Sequence, residues 1–255
     1  MLNFTKNLAK EAGKIPRKHW GKLKSYKYKR SRDLLTIADV ETNKFIVNKV
    51  RKQYPGHSIM AEESGKIINP GGQYLWVIDP IDGTAAYSRG LPYFGTSIAL
   101  FKDGQPFIGV IYDPLLDELF WAQDKKGAYF NGKKIKPSKI SILSRAVIDT
   151  GFPHQRKSIQ GQKQLKNTGI LYNKIENFIV NTCAVSGLCY VACGRLEVYY
   201  EYILNPWDFA AGAIIVEQAG GKVTTPEGRP WTLKDKRIVA SNGLIHNKFL
   251  KQLTK

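Results

Sequence analysis

Trp76-Val77-Ile78-Asp79-Pro80-Ile81-Asp82-Gly83-Thr84 carries an apolar run straight into two carboxylates. Residues 74–78 have the aromatic and β-branched character of a buried strand, and Pro80 and Gly83 impose a sharp turn behind it. Asp79 and Asp82 stand three apart and can face one point. Two close carboxylates repel and raise one another's pKa unless a cation lies between them, and hard oxygen donors of this kind suit Mg²⁺. The Ile81 backbone carbonyl is a further oxygen donor. Gly83-Thr84 begins a helical turn whose first N–H groups lack intrahelical partners and can receive an anion such as phosphate. The same spacing also fits a plain aspartate-rich turn with Asp82 as a helix cap.

Outward from this stretch the chain alternates helical and extended patterns. Upstream, Leu2, Leu8, Ala9, Ala12 and Ile15 form a helical stripe that ends before Pro16. A second helix is expected over 36–53, with Ala38, Val40, Phe45, Ile46, Val47 and Val50 on its apolar face and Tyr54-Pro55-Gly56 stopping it. Downstream, residues 95–101, 107–113 and 118–122 read as strands joined at Asp103-Gly104 and Asp113-Pro114, an antiparallel meander. Asn131-Gly132 adds a turn, and 133–138 is a surface passage that places a boundary near residue 140, between an N-terminal half (1–140) and a C-terminal half (141–255). There, 147–150, 196–200, 223–225 and 237–240 are expected strands, 155–167 a loop or exposed helix, 184–192 a buried helix, and 208–219 a helix ended by Gly220-Gly221. Strands and helices mixed in both halves imply sheets covered by helices, an α/β or mixed α+β layered fold.

The chain has 255 residues, 43% of them hydrophobic and 11% aromatic, which excludes a disordered or fibrous protein. No apolar stretch approaches the roughly 18–20 residues of a membrane span, and lysines occupy the place of a signal peptide's apolar core, so a cytoplasmic protein is expected. Cys183, Cys189 and Cys193 are odd in number and set among apolar residues, and read as reduced, buried thiols. The net charge is +18, and residues 6–32 alone hold eleven basic side chains against Glu11. That cationic segment is either a solvated helix face or a surface for polyanions such as nucleic acid.

In a chain so poor in acids, the carboxylates that sit among apolar or glycine-rich neighbours are informative. Besides Asp79 and Asp82 they are Glu62 and Glu63, in Ala61-Glu62-Glu63-Ser64-Gly65, and Asp208, in Pro206-Trp207-Asp208-Phe209-Ala210-Ala211-Gly212. Each alone is an ordinary cap or solvated acid; together they supply the several oxygens that two to three Mg²⁺ ions need. These three motifs, in this order, resemble the signatures of the inositol monophosphatase family. Asp33-Leu34-Leu35-Thr36-Ile37-Ala38-Asp39, Gly127-Ala128-Tyr129-Phe130-Asn131-Gly132 and Glu217-Gln218-Ala219-Gly220-Gly221 extend the resemblance over nearly the whole chain.

The resemblance implies a five-layered αβαβα sandwich of the inositol monophosphatase and fructose-1,6-bisphosphatase type, Mg²⁺ dependence, inhibition by Li⁺ and a homodimer. It implies that Glu62, Asp79 and the Ile81 carbonyl hold one metal, Asp79, Asp82 and Asp208 a second, and Glu63 a looser third. Thr84, paired with Asp39, would orient and deprotonate the attacking water, the amides of Gly83 and Thr84 would hold the phosphate, and Glu201 would bind a substrate hydroxyl. None of the four histidines (His19, His57, His154, His246) is given a catalytic part, His154 being the one considered for a substrate contact.

Departures from the pattern concern the substrate. Ala85-Ala86 follow Asp-Gly-Thr where many members have Thr-Asn, and Ile179-Val180-Asn181-Thr182-Cys183-Ala184-Val185 stands where an Arg and Gly-Ser-Ala-Ala are common. Cys183 and Ala184 thus replace the usual pair beside the substrate ring. Inositol 1-phosphate is the leading expectation for a small phosphorylated substrate, followed by fructose 1,6-bisphosphate and histidinol phosphate, then 3′-phosphoadenosine 5′-phosphate. The alternative is a protein that joins a nucleic-acid complex through its basic N-terminal face.

Overall fold

The computed structural model describes residues 1–22, 27–30, 33–152, 155 and 157–253, with backbone alone for 27–30 and 33. Lys24, Arg32 and His154 lie outside the described residues. In chain order the N-terminal part comprises α1 (Leu2–His19), β1 (Lys27–Arg30), β2 (Asp33–Leu35), α2 (Ile37–Gln53), β3 (Ser58–Ala61), β4 (Tyr74–Asp82), α3 (Thr84–Tyr87), β5 (Gly95–Lys102), β6 (Gln105–Asp113), β7 (Glu118–Gln123), β8 (Gly127–Phe130) and β9 (Lys133–Lys134). After the passage around residue 140 come β10 (Val147–Asp149), α4 (Ile159–Tyr172), β11 (Asn177–Ile179), α5 (Ala184–Ala192), β12 (Val198–Glu201), α6 (Pro206–Ala219), β13 (Lys222–Thr224), β14 (Ile238–Ser241) and α7 (His246–Leu250).

The expected meander is the centre of a seven-stranded sheet in the order β3-β4-β5-β6-β7-β8-β9, antiparallel throughout except that β3 runs parallel to β4. A second sheet, β11-β10-β12-β14-β13, holds the C-terminal strands, and β1 and β2 form a separate hairpin. One face of the large sheet buries Trp76, Ile78, Ile98 and Val110 against Leu8, Ala9 and Ala12 of α1 and Ile46 and Val50 of α2. The other face packs Val77, Ala99 and Ile111 on Leu188 of α5 and Phe209 and Ile214 of α6, which also cover Tyr199, Ile238 and Ala240 of the smaller sheet. That sheet turns Ile148, Val198 and Val239 outward, beneath Leu171 of α4 and Phe249 of α7. The succession is αβαβα, as the resemblance implies.

Two glycines set how closely the central helices lie. A Cβ on Gly109 of β6 would come within 2.5 Å of the Ala211 carbonyl oxygen, and one on Gly212 within 2.5 Å of Leu188 Cδ1. Helix α6 therefore rests with its backbone against β6 on one side and against α5 on the other, a spacing that any side chain would widen.

Several expectations are corrected. Helix α1 continues through Pro16 to His19, despite the missing proline N–H, with the Trp20 amide donating to the Pro16 carbonyl at 2.9 Å and the Arg17, Lys18 and His19 side chains suiting a helix C-terminus. Val40 is exposed, and the inner face of α2 is completed by Asp39 and Thr42. Asp208 is the third residue of α6, with Asn205 as its cap, and Gly83 rather than Asp82 precedes α3. Of the two alternatives for the polar stretch 155–167, the helical one holds from Ile159 on, in α4, whose buried side includes Gln164 and Asn167 beside Leu171.

Candidate active site

The site forms where β4 ends, because the β4–β5 ladder loses its regular register between Asp79 and Asp82 and the strand turns its acids out of the sheet. Asp79 is buried, whereas Asp82, Asp208, Glu62 and Glu63 are partly exposed. Asp79 Oδ1 accepts from the Ile81 amide at 3.0 Å, which tightens the turn. Burial pushes Asp79 well above the ordinary carboxylate range, and the charges of Glu62, Asp82 and Asp208 push the same way, as does a hydrogen bond from Glu62 that needs a shared proton. Asp208 is raised by shielding and then by Asp82 and Glu62. Asp82 rises to about 6, shielding outweighing the donors on it.

Three acids divide their oxygens in the same manner. Asp39 Oδ2 closes a capping box on α2, accepting from the Thr36 amide at 2.8 Å and the Thr36 hydroxyl at 2.5 Å, while Oδ1 receives the Thr84 hydroxyl at 3.1 Å. Asp208 Oδ2 accepts from the Asn205 amide at 2.6 Å in the box that opens α6. Asp82 Oδ2 accepts from the Val185 amide at 2.8 Å and so caps α5 from a segment about a hundred residues away. The N-termini of α2, α5 and α6 therefore meet at the acids, and their partial positive charge opposes the crowding of negative groups there.

Thr84 lies between Asp39 and the Ile81 carbonyl, to which its hydroxyl is also within 2.9 Å. Its single proton serves one acceptor at a time. Glu201, at the end of β12, is buried over Gly151 and accepts from the Tyr199 hydroxyl at 2.6 Å. Burial raises it to about 8, with Asp82 and Asp149 adding to the shift, so it is protonated at neutral pH. Cys183 and Ala184 are both buried, and the Cys183 thiol lies 3.2 Å from Asp82 Oδ2.

The structure thus gathers Asp39, Glu62, Asp79, Ile81, Asp82, Gly83, Thr84, Cys183 and Asp208 through direct contacts or charge, with Glu201 and Glu63 at the margins. Sequence reasoning missed Thr36, Tyr199, Val185 and Asp149. Asp149 is fully buried on β10, neither of its oxygens in a well-formed hydrogen bond, and burial raises it to about 7. A lone acid inside the apolar 147–150 strand was the available signal for it.

Whether a cation fits can be judged from the donors. They are hard oxygens, and among the described residues no ion pair involves Asp79, Asp82 or Asp208. Among the described residues no three His, Cys, Asp or Glu side chains stand close enough together to hold a metal ion as they are placed. The acids instead bear on one another through charge, a tension that a divalent ion removes. The donor set fits a hard divalent cation.

The whole chain, residues 1–255, matches the model of the inositol monophosphatase family. The chain belongs to the inositol monophosphatase family. It is 35% identical to "Inositol monophosphatase 3" of Solanum lycopersicum, covering 99% of this chain and 96% of the relative. It is 35% identical to the "Fructose-1,6-bisphosphatase/inositol-1-monophosphatase" of Thermotoga maritima (98% and 94% covered) and 36% identical to the "Nus factor SuhB" of Escherichia coli K12 (95% and 91% covered). Among solved structures, the suhB protein of Bartonella henselae superposes with a TM-score of 0.94 at 34% identity, covering 99% of this chain and 98% of that one. Inositol monophosphatases are phosphoric monoester hydrolases and generally depend on metal, and this chain is an enzyme of that class. The names of its relatives span two phosphatase substrates and a Nus factor, so membership alone leaves the substrate open.

Proposed function

We propose that the protein is a Mg²⁺-dependent phosphomonoesterase of a small polyol or sugar phosphate, with inositol 1-phosphate first among candidates. The observation that carries the reading is the convergence of Asp79, Asp82 and Asp208 without a basic partner among the described residues, beside the hydrogen-bonded Thr84–Asp39 pair. Glu62, Glu63, Asp79, the Ile81 carbonyl, Asp82 and Asp208 would hold two to three Mg²⁺ ions. Bound there, the ions would lower the pKa of water and neutralise charge on the attacking and leaving oxygens.

The chain's own groups supply the rest. Thr84 accepts a proton from the attacking water as its own hydroxyl proton moves to Asp39 Oδ1, whose other oxygen is fixed by Thr36 and keeps the carboxylate in place. The amides of Gly83 and Thr84 and the three assembled helix N-termini favour the phosphate dianion. Glu201, held by the Tyr199 hydroxyl, would bind a substrate hydroxyl. Ala85 and Ala86 leave that side of the phosphate without polar groups. The same reading carries sensitivity to Li⁺ and a homodimer, the latter measurable by light scattering.

The test is phosphate release, with and without Mg²⁺, from inositol 1-phosphate, fructose 1,6-bisphosphate, histidinol phosphate and 3′-phosphoadenosine 5′-phosphate, with Asp82→Asn as control. Mg²⁺-dependent release from one of them, lost in the variant, supports the reading and names the substrate; equal rates in Asp82→Asn overturn the site. A second reading rests on α1, where exposed Lys10, Lys14, Arg17 and Lys18 make a cationic face toward which a nucleic acid would be drawn. It requires RNA affinity that falls steeply with salt. No RNA binding at low salt would end it.

A further inference from the structure

Cys183 has a role that neither substrate binding nor thiol chemistry describes. It occupies the N-cap position of α5, yet its side chain makes no capping bond to that helix. The thiol is instead placed 3.2 Å from Asp82 Oδ2, with Ser186 Oγ 3.1 Å away on its other side. The Val185 amide reaches the same Oδ2 at 2.8 Å. Both donors fall on Oδ2 and fix the turn of the carboxylate, on which the Gly83 and Ala184 amides also act. The segment that delivers Cys183 is itself held under load: Thr182 is in the left-handed region at φ 59°, unfavourable for a β-branched residue, and the Asn181 side chain accepts from the Cys183 amide at 2.9 Å. Cys183 is 2% exposed, and its S–H is placed to donate to the Asp82 carboxylate.

We propose that Cys183 is a positioning residue for Asp82: its S–H and the Val185 N–H clamp Oδ2 and so aim Oδ1 at the metal site. This rests on the reading of Asp82 as a metal ligand. Groups of this outer kind orient the ligand that touches the ion, and their loss weakens metal affinity by about 10- to 100-fold. Because a thiol is a weak donor, the low end of that range is expected. A serine keeps a donor at the same place, whereas alanine and valine keep none.

The experiment measures Mg²⁺ and Mn²⁺ binding to the metal-free protein by calorimetry, for wild type, Cys183→Ser, Cys183→Ala, Cys183→Val and Asp82→Asn, each checked for folding by circular dichroism. Expected is affinity within about threefold of wild type for serine and about tenfold weaker for alanine and valine, with the largest loss in Asp82→Asn. A parallel readout is the S–H stretching band of Cys183 in a Cys189→Ala/Cys193→Ala background, which should move to higher frequency in Asp82→Asn as the acceptor weakens. If Asp82→Asn loses affinity while alanine and valine bind as wild type, and the band does not move, Cys183 is only packing and the proposal is overturned. If Asp82→Asn itself binds metal normally, the reading of the site fails instead.

Discussion

Asp208 and Asp235 receive opposite treatment in one protein. Asp235 is buried, and Arg229 grips both its oxygens while the Thr232 amide and hydroxyl donate at 2.8 and 2.9 Å. These donors hold its carboxyl below the ordinary range against the opposing effect of burial. Asp208, in the first turn of α6, has a single amide donor and faces Asp82 and Glu62, and its carboxyl is raised. A chain with 39 Lys and Arg has cations in abundance. None among the described residues pairs with Asp79, Asp82 or Asp208, which marks the place where a cation is meant to come from solution.

The strongest way to break this contrast is to neutralise one acid of each kind. Asp208→Asn should lower phosphate release by about 10³-fold, the scale of losing one charged partner of the transition state, and without divalent ions should raise the melting temperature by about 3 °C through relief of repulsion. Asp235→Asn should do the reverse, with activity kept and a melting temperature lower by about 2–5 °C as its donors lose their charged acceptor. If Asp208→Asn keeps its rate, or melts lower than wild type in chelator, the two aspartates do not differ in the way described.

The pH dependence sharpens the comparison because the two signs are opposite. Asp82 is raised from 3.8 to about 6, so the folded metal-free protein binds more protons than the unfolded chain between those values, and stability falls as pH rises through them. Asp235 is lowered, so its contribution is present above the ordinary carboxylate range and lost as pH falls through its folded value. Melting curves from pH 3.5 to 7 in chelator should show the first effect, and saturating Mg²⁺ should abolish it. Asp235→Asn should flatten only the acid limb. A metal-free curve with no fall between pH 4 and 6 would count against the clustered acids. The smallest expected effect is that of Thr182→Gly, which removes the φ 59° penalty at an exposed position and should raise the melting temperature by about 2 °C; a lower value would mean that its backbone is not strained.

Where hydropathy and geometry agree, the sequence was enough. The 74–82 run, the meander turns at Asp103-Gly104 and Asn131-Gly132, and the bounds of α5 were all legible because buried faces there are apolar and turns carry their usual residues. Helix α4 was legible only as one of two alternatives, since its inward side carries Gln164 and Asn167 beside Leu171, while Ile159, Leu165 and Tyr172 face solvent. Gln164 earns its burial through bonds to Thr150, Gly151 and the Tyr202 amide, and Asn167 through the Tyr202 hydroxyl, all long-range partners that no local pattern announces. Strand β3, four residues long, depends in the same way on its parallel neighbour β4. At the site, the acids could be picked out by their apolar and glycine-rich settings. The use of one oxygen of each for capping could not, because the partner of Asp82 is a helix start about a hundred residues later.

The backbone-to-backbone seating of α6 bears on how such an enzyme can change over evolutionary time. Gly109 of β6 faces the helix that carries Asp208, Gly212 belongs to that helix and faces α5, and a methyl group at either would overlap the Ala211 carbonyl or the Leu188 side chain. Substitution there acts as a shim: it lifts the helix and carries Asp208 away from Asp82 without touching any acid. Residues along the proposed substrate rim can vary while the acids keep their spacing, whereas a side chain at either of these two interior positions forces its neighbour to shift. Divergence in this protein is therefore channelled to its openings, while the gap between its facing carboxylates is set by two absent side chains.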